Sequence, residues 1–407
     1  MKRIKYLLFL MLNSVLLLSC SDDKVLNSKE EDVSQLGYAR PGGVFVLNGG
    51  ARMVENGSLT YIAPDGSVET NVYKQVNGTE LGNDAIDMYL HGNKLYILCN
   101  DFIQLDGQPG DGALIIVDAI TLKKEKAYRL SELVYDLPEG MRPEHEGGIM
   151  SLSNIAVLDE HNIFINDAQA LFRFDSTTGK LTLVKGSYHI ANAGGTIEGK
   201  VSGKSMAVVD DKLYMGVGGF WSDAGVYEFV KNKDEVNRTL SFESSNLIAG
   251  LIAGDNGEVW VGTYSRQNKN NNQVYKVSSA TMTLLDSKNI TADFSPGYNN
   301  TSGLSLAGDW FYHAGQKPRI HRFSFANGSK EILVDALADE PNANYLTTNL
   351  VVNSINNYVY VATAQEYMEN IITNNNLLIY DCSGSEAKLI DNIAGKTSYV
   401  TNILPVD

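Results

Sequence analysis

The chain has 407 residues, 43% of them hydrophobic, with 33 Lys and Arg against 48 Asp and Glu and a formal net charge of −15. So acidic a chain is a poor nucleic-acid binder and does not adhere electrostatically to anionic lipid. No Cys/His spacing resembles a zinc site, and neither a metal nor a cofactor is expected.

Lys2, Arg3 and Lys5 form a positive start, followed by an apolar run from Tyr6 to Leu18 that only Asn13 and Ser14 interrupt. A run that short reads as a signal peptide over residues 1–19 rather than a spanning helix. It ends in Leu17-Leu18-Ser19-Cys20, which resembles a bacterial lipobox, so Cys20 is expected to be lipidated and to become the first mature residue. Ser21-Asp22-Asp23-Lys24 then resembles an acidic export tag for the outer face of an outer membrane. Removing the leader removes three positive charges, leaving 30 against 48, or −18. Val25 to Arg40 is polar and without steady periodicity, and residues 20–40 read as a flexible tether.

From residue 41 onward an apolar-aromatic-apolar triplet recurs, with period-2 strands around it. The seven copies are Val44-Phe45-Val46, Leu95-Tyr96-Ile97, Ile163-Phe164-Ile165, Leu213-Tyr214-Met215, Val259-Trp260-Val261, Trp310-Phe311-Tyr312 and Val359-Tyr360-Val361. They stand 51, 68, 50, 46, 51 and 49 residues apart. A period near 50 with several short strands per unit predicts an all-β fold, a seven-bladed β-propeller over residues 41–407. Each unit reads as an inner strand, a short turn such as His91-Gly92-Asn93 or Asp210-Asp211, the triplet strand, a variable loop, a third strand and a weaker fourth. Cys99 and Cys382 fall in different units and are read as lone thiols.

The first triplet has no inner strand before it, only Arg40-Pro41-Gly42, while Ser398 to Leu404 is an inner-strand pattern with no triplet behind it. Joining the two predicts that the C-terminal strand closes the ring as the innermost strand of the first blade, leaving no open sheet edge.

In a propeller the loop after the triplet strand and the blade-to-blade crossings share one face. From triplet aromatic to the middle of the third strand the chain takes 16, 19, 8, 13, 15, 10 and 18 residues, while the first turns stay short. Variation confined to one face predicts a recognition surface on a rigid scaffold; drift in unselected loops is the plainer alternative. Candidate ligand-binding residues on that face are Phe220 and Trp221 between glycines, Tyr264 and Arg266 in an amide-rich loop, Tyr367, Phe102 and Tyr298. Arg142 and His145 join them from the insertion Ser131 to Gly148, which accounts for the 68-residue spacing. Aromatic faces beside Asn, Gln and Arg suit a polar, partly flat small molecule such as a sugar, a corrin or a siderophore. Single aromatics of this kind also serve to pack a loop on its own blade. No catalytic motif stands out, and no catalytic residue is assigned.

Gly43-Val44-Phe45-Val46-Leu47-Asn48-Gly49-Gly50, then Asn56 to Tyr61 and Asn71-Val72-Tyr73, resembles the opening of a family of surface-lipoprotein β-propellers from Gram-negative gut anaerobes. That family includes cobalamin-capture proteins that cover a TonB-dependent outer-membrane transporter. The resemblance implies a lipid-anchored, non-enzymatic module at the cell surface that takes a small-molecule ligand and passes it to such a transporter. It places no ligand contacts on this chain, and Asn48-Gly49-Gly50-Ala51-Arg52 departs from the family's usual opening, where an acidic residue follows the Asn. Two other readings stay open: a surface enzyme acting on a carbohydrate or lactone, and a protein-binding platform.

Overall fold

Asp210 and Asp211 both take left-handed φ, 50° and 58°, as a two-residue turn between twisted strands requires. Such turns fold each repeat on itself. In the computed structural model, residues 36–102, 109–137, 149, 151–167, 170–190, 197–199, 201–219, 222–242, 247–265, 272–290, 305–314, 318–368, 371–373 and 375–407 are described.

Blade 1 carries β1 (Val44–Asn48), β2 (Ser58–Ile62) and a short β3 (Val68–Glu69), followed by helix α1 (Val72–Asn77). Blade 2 is β4 (Ala85–His91), β5 (Lys94–Cys99), β6 (Leu114–Asp118) and β7 (Lys124–Tyr128). Blade 3 is β8 (Asn154–Asp159), β9 (Asn162–Asn166), β10 (Leu171–Asp175) and β11 (Lys180–Leu183), with a separate hairpin β12 (Tyr188–Ile190) and β13 (Ile197–Gly199) after it. Blade 4 is β14 (Val201–Val209), β15 (Lys212–Gly219), β16 (Ser222–Val230) and β17 (Arg238–Ser241). Blade 5 is β18 (Leu247–Ala253), β19 (Glu258–Tyr264), β20 (Asn272–Ser278) and β21 (Leu284–Ile290). Blade 6 is β22 (Ser305–Ala307), β23 (Trp310–Ala314), β24 (Arg319–Ser324) and β25 (Lys330–Asp335), ending in helix α2 (Ala336–Asp339). In blade 7 the inner strand is split into β26 (Tyr345–Leu346) and β27 (Val351–Asn353), both paired to β28 (Tyr358–Ala364). A hairpin of β29 (Glu366–Met368) and β30 (Ile371–Thr373) precedes its β31 (Asn376–Asp381) and β32 (Lys388–Ala394). The last strand, β33 (Val400–Pro405), returns to blade 1, where the sheet order is β3-β2-β1-β33.

The chain is therefore a seven-bladed β-propeller closed by its C-terminal strand. Phe45 faces Leu404 and Val46 faces Ile403, and Gly42 N and Val406 N bond across the two ends at 2.8 Å each. Asp87 fastens this closure from the inner strand of blade 2. Its carboxylate accepts from Asn402 Nδ2 of β33, and from Ile155 N (2.9 Å) and Asn154 Nδ2 (3.2 Å) of β8. Burial pushes its pKa up to about 6 against those donors. The propeller unit begins at Tyr38, slightly before the expected boundary at 41, because Tyr38 N bonds Ile120 O and its ring meets Tyr61 edge-on.

Seven apolar clusters fill the seven seams between neighbouring blades. Period 2 explains how one triplet serves two seams: Leu95 and Ile97 face blade 1, while Tyr96 faces blade 3. Blade 6 corrects the expected register. Phe311 packs towards blade 5 and Tyr312 towards blade 7, so its triplet is Phe311-Tyr312-His313, one residue later than read. The pairing Ala307↔Trp310 across the turn matches Val209↔Lys212 in blade 4, which confirms the shift. His313 thus occupies an apolar position, 1% exposed and stacked on His321 at 5.0 Å between centroids. Burial and the neighbouring His321 lower its pKa to about 3. Cys99 and Cys382 are both buried free thiols. Among the described residues no helix is long and apolar enough to cross a membrane.

Candidate functional site: two clefts on the long-loop face

The loop from β1 to β2, the crossing from β3 to β4, the loop from β5 to β6 and the crossing from β32 to β33 all leave their strands on one face. They meet at the seam of blades 1 and 2 and enclose a cleft of about 840 Å3, within the range of small-molecule sites. Leu59, Tyr73 and Leu81 of the seam cluster line it from beneath.

Its floor is set by backbone contact between crossing and loop. A Cβ on Gly110 would stand 1.7 Å from Leu81 O, and one on Gly82 2.1 Å from Gly112 O, so only glycine lets these segments touch. Helix α1 supplies one wall, because a left-handed Asn71 starts it and a left-handed Gly78 stops it, which turns Lys74 towards Glu80.

The polar groups of the cleft are held in place by one another. Lys74 Nζ donates to Glu80 Oε1 at 2.7 Å, and Asn56 Nδ2 to Glu80 Oε2 at 3.0 Å. These two bonds, Lys74 first, hold the Glu80 carboxyl below its usual range. Glu55 Oε2 accepts from Ser398 Oγ at 3.2 Å and from Ala51 N at 3.3 Å. Behind the wall Asp111 accepts from Tyr73 Oη, from Thr79 Oγ1 (2.6 Å) and from Lys124 Nζ (2.7 Å). Burial raises the Asp111 pKa, but these three donors outweigh it and the net shift is downward. Burial and the bond to Asp111 raise that of Tyr73. At the lip Met53 has φ 61°, held by Met53 N donating to Asn83 Oδ1 at 3.0 Å. Met53 and Val54 are exposed there, so the cleft has an apolar lip, a polar wall and a carboxylate, Glu55, that no described cation neutralises. Such a lining can hold a polar small molecule from several sides. A second, smaller cavity of about 380 Å3 opens on the same face at blade 7.

The residues singled out from sequence are distributed differently. Phe102 lies just past β5, half-buried, with the Arg52 guanidinium 4.4 Å from its ring centroid. That pair joins the loops of blades 1 and 2. Tyr264 is corrected: it is 5% exposed and packs in the seam of blades 5 and 6. The reason is period 2, since β19 runs on past its triplet and puts Tyr264 on the side of Trp260. Tyr367 stands in β29, paired with Ile372. Gly218 and Gly219, read as loop, belong to β15, which pairs with β16 up to Gly219 and Ser222. Phe220, Trp221, Arg266, Tyr298, Arg142, His145 and the lipidation site Cys20 lie outside the described residues.

Sequence reasoning passed over Asn56, Lys74, Glu80 and Glu55. Their signal was present in the short helical stretch between Asn71 and Gly78 and in the opposite charges on either side of it. Among the described residues no group of three His, Cys, Asp or Glu is placed to hold a metal ion.

Two solved structures are among those that the chain is similar to. The computationally designed Ika8 protein is 12% identical, with a TM-score of 0.44, covering 80% of this chain and 91% of its own. BamB from Moraxella catarrhalis is 13% identical, with a TM-score of 0.41, covering 84% of this chain and 83% of its own. At these values neither bears on function. No curated protein matches the chain. A family model described as a domain of unknown function, DUF5074, matches residues 42–400, nearly the whole propeller. The chain belongs to the DUF5074 family.

Proposed function

We propose that this protein is a lipid-anchored propeller of the outer-membrane surface that captures a small polar ligand on its long-loop face and passes it to a TonB-dependent transporter. The observation that carries this reading is the cleft between blades 1 and 2. It is large enough for a small molecule, lined by residues from four loop segments, and located on the face that the variable loops single out. Lipidation at Cys20 is the anchoring part of the proposal, since the lipid would hold the protein to the membrane. The cobalamin-like, siderophore and glycan classes are the ligands to try, in line with a cleft that combines amides, hydroxyls and carboxylates over an aromatic and aliphatic floor.

The test has two arms. Spectra of the mature chain titrated with cobalamins and ferric siderophores, and calorimetry with glycans, should reveal saturable binding that weakens at least tenfold in Glu55→Gln with Asn56→Ala. Cys20→Ser should move the protein from the membrane to the soluble fraction, and protease added to intact cells should degrade the wild type. Absence of binding across all three classes contradicts ligand capture; full protection from protease contradicts surface display.

A further inference from the structure

The ring closes over a buried carboxylate. Asp87, 8% exposed, stands on β4 of blade 2 and ties three blades together. Asn402 Nδ2 donates to its Oδ1 from the closing strand β33, and so does Met88 N at 3.0 Å. Ile155 N (2.9 Å) and Asn154 Nδ2 (3.2 Å) donate to its Oδ2 from β8 of blade 3. All four donors are uncharged amides.

The elements packed against β4 are β1, β5, β8 and β33. β1 and β33 carry no titratable side chain. The titratable group of β8 is Asp159, at the opposite end from Asn154, where Asn162 and Lys231 hold it. On β5, Leu98 stands opposite Asp87, and Lys94 pairs with Glu125 at the far end. Tyr96 and Cys99 of β5 and Tyr89 of β4 are kept in their neutral forms by burial. His91 lies at the turn end of β4. Among the described residues, none of these elements sets a cation beside Asp87.

An ionised carboxylate so placed gives up its hydration and receives only dipoles in return. Asn154 offers an alternative. Its Oδ1 is buried without a hydrogen-bond partner, on the same amide whose Nδ2 donates to Asp87. When Asp87 takes a proton from water on Oδ2, that amide can turn over and accept from the new O–H through Oδ1. One bond is lost, one is gained, and the buried charge is gone. From this geometry we infer that Asp87 is a proton-operated latch, holding β33 in the ring more firmly as the neutral acid than as the carboxylate. Ser398, on the same returning segment as Asn402, lines the larger cleft, so acid that tightens the closure also steadies one wall of that cleft. The inference goes beyond the proposed capture function and stands without it.

The sign of the effect follows from burial, which lifts the Asp87 pKa from 3.8 to about 6 in the folded chain. A group raised on folding contributes its full stability below pH 3.8 and loses it as pH rises through 6. The latch is therefore weakest at neutral pH, and its opening equilibrium should fall about tenfold between pH 7 and pH 5.

The experiment is amide hydrogen exchange on the mature chain at both pH values, corrected for intrinsic exchange rates, in wild type and Asp87→Asn. Protection of the β33 amides in the wild type should rise about tenfold on acidification. Asp87→Asn can accept from Asn402 and donate to Asn154 Oδ1, so its protection should be flat with pH and match the acid wild type already at pH 7. Amides of β19, in blade 5, should not distinguish the two chains. Carbon-13 NMR of the wild-type aspartate carboxyls gives a second reading that needs no variant: the Asp87 signal should titrate near 6. A carboxyl that titrates at the ordinary value of about 4 overturns the inference. So does β33 protection that is unchanged or falls in acid, or an Asp87→Asn ring that opens more readily than the wild type at pH 7.

Discussion

The seam of blades 1 and 2 and the cleft at its loop end share residues but follow different rules. In the seam, Phe45, Leu47, Met88 and Ile97 are at most 3% exposed and pack as apolar bodies. Aliphatic side chains of similar volume can replace one another there at modest cost. In the cleft, Asn56, Lys74 and Glu80 hold one another through directional bonds of 2.7 and 3.0 Å, which an apolar replacement removes. Tyr73 belongs to both, with its ring in the seam and its hydroxyl bonded to Asp111. The difference separates two kinds of failure. Damage to a seam is expected to appear as lost stability, and damage to the cleft as lost binding on an intact ring.

The largest effect comes from removing a whole side of a seam. A chain ending at Lys396 lacks β33, which exposes the β1 edge and leaves the Asp87 carboxylate without Asn402. It should aggregate or lose cooperative unfolding in calorimetry. A truncated chain that melts as cooperatively as the full one contradicts the closure.

How much of this was legible follows from the same contrast. Seams repeat seven times, so period 2, the triplet and the turn residues gave the blade count, the third strands and the closure from sequence alone. The one register error, in blade 6, arose because Trp310 made an aromatic triplet that began one residue too early, and histidine stood where the pattern wanted an aliphatic. Tyr264 was misjudged because a loop was assumed to begin where β19 continues. The cleft was missed for a different reason. Each of its polar residues occurs once, from segments far apart in sequence, and only the ring brings Ser398 to Glu55.

A smaller and pH-dependent effect sharpens the comparison within the seams. His313 takes the position that Met215 holds in blade 4, and burial lowers its pKa from 6.5 to about 3. A group depressed in the folded state contributes its full stability above pH 6.5 and loses it as pH falls from 6.5 towards 3, because the unfolded chain takes up the proton first. The penalty reaches on the order of 4 kcal/mol at the acid end. Urea unfolding of wild type and His313→Met should therefore diverge as pH falls through that window, with the variant becoming relatively more stable. Curves that stay parallel from pH 7 to pH 4 contradict a buried neutral imidazole in the blade 5–6 seam.

The smallest effect on stability is expected on the loop face, where the central claim of ligand capture is decided. The direct measurement is the affinity of whichever cobalamin, siderophore or glycan binds the wild type, compared between two sets of variants with their melting temperatures. Asn56→Ala, in the cleft, should weaken binding about tenfold, and Trp221→Ala, which only the sequence assigns to this face, about thirtyfold, roughly 1.4 and 2 kcal/mol, with melting almost unchanged. On the short-turn face, His91→Ala and Asn93→Ala should leave affinity as it was. Loss of binding from the His91 or Asn93 variants, or full affinity in both long-loop variants, would contradict capture on this face.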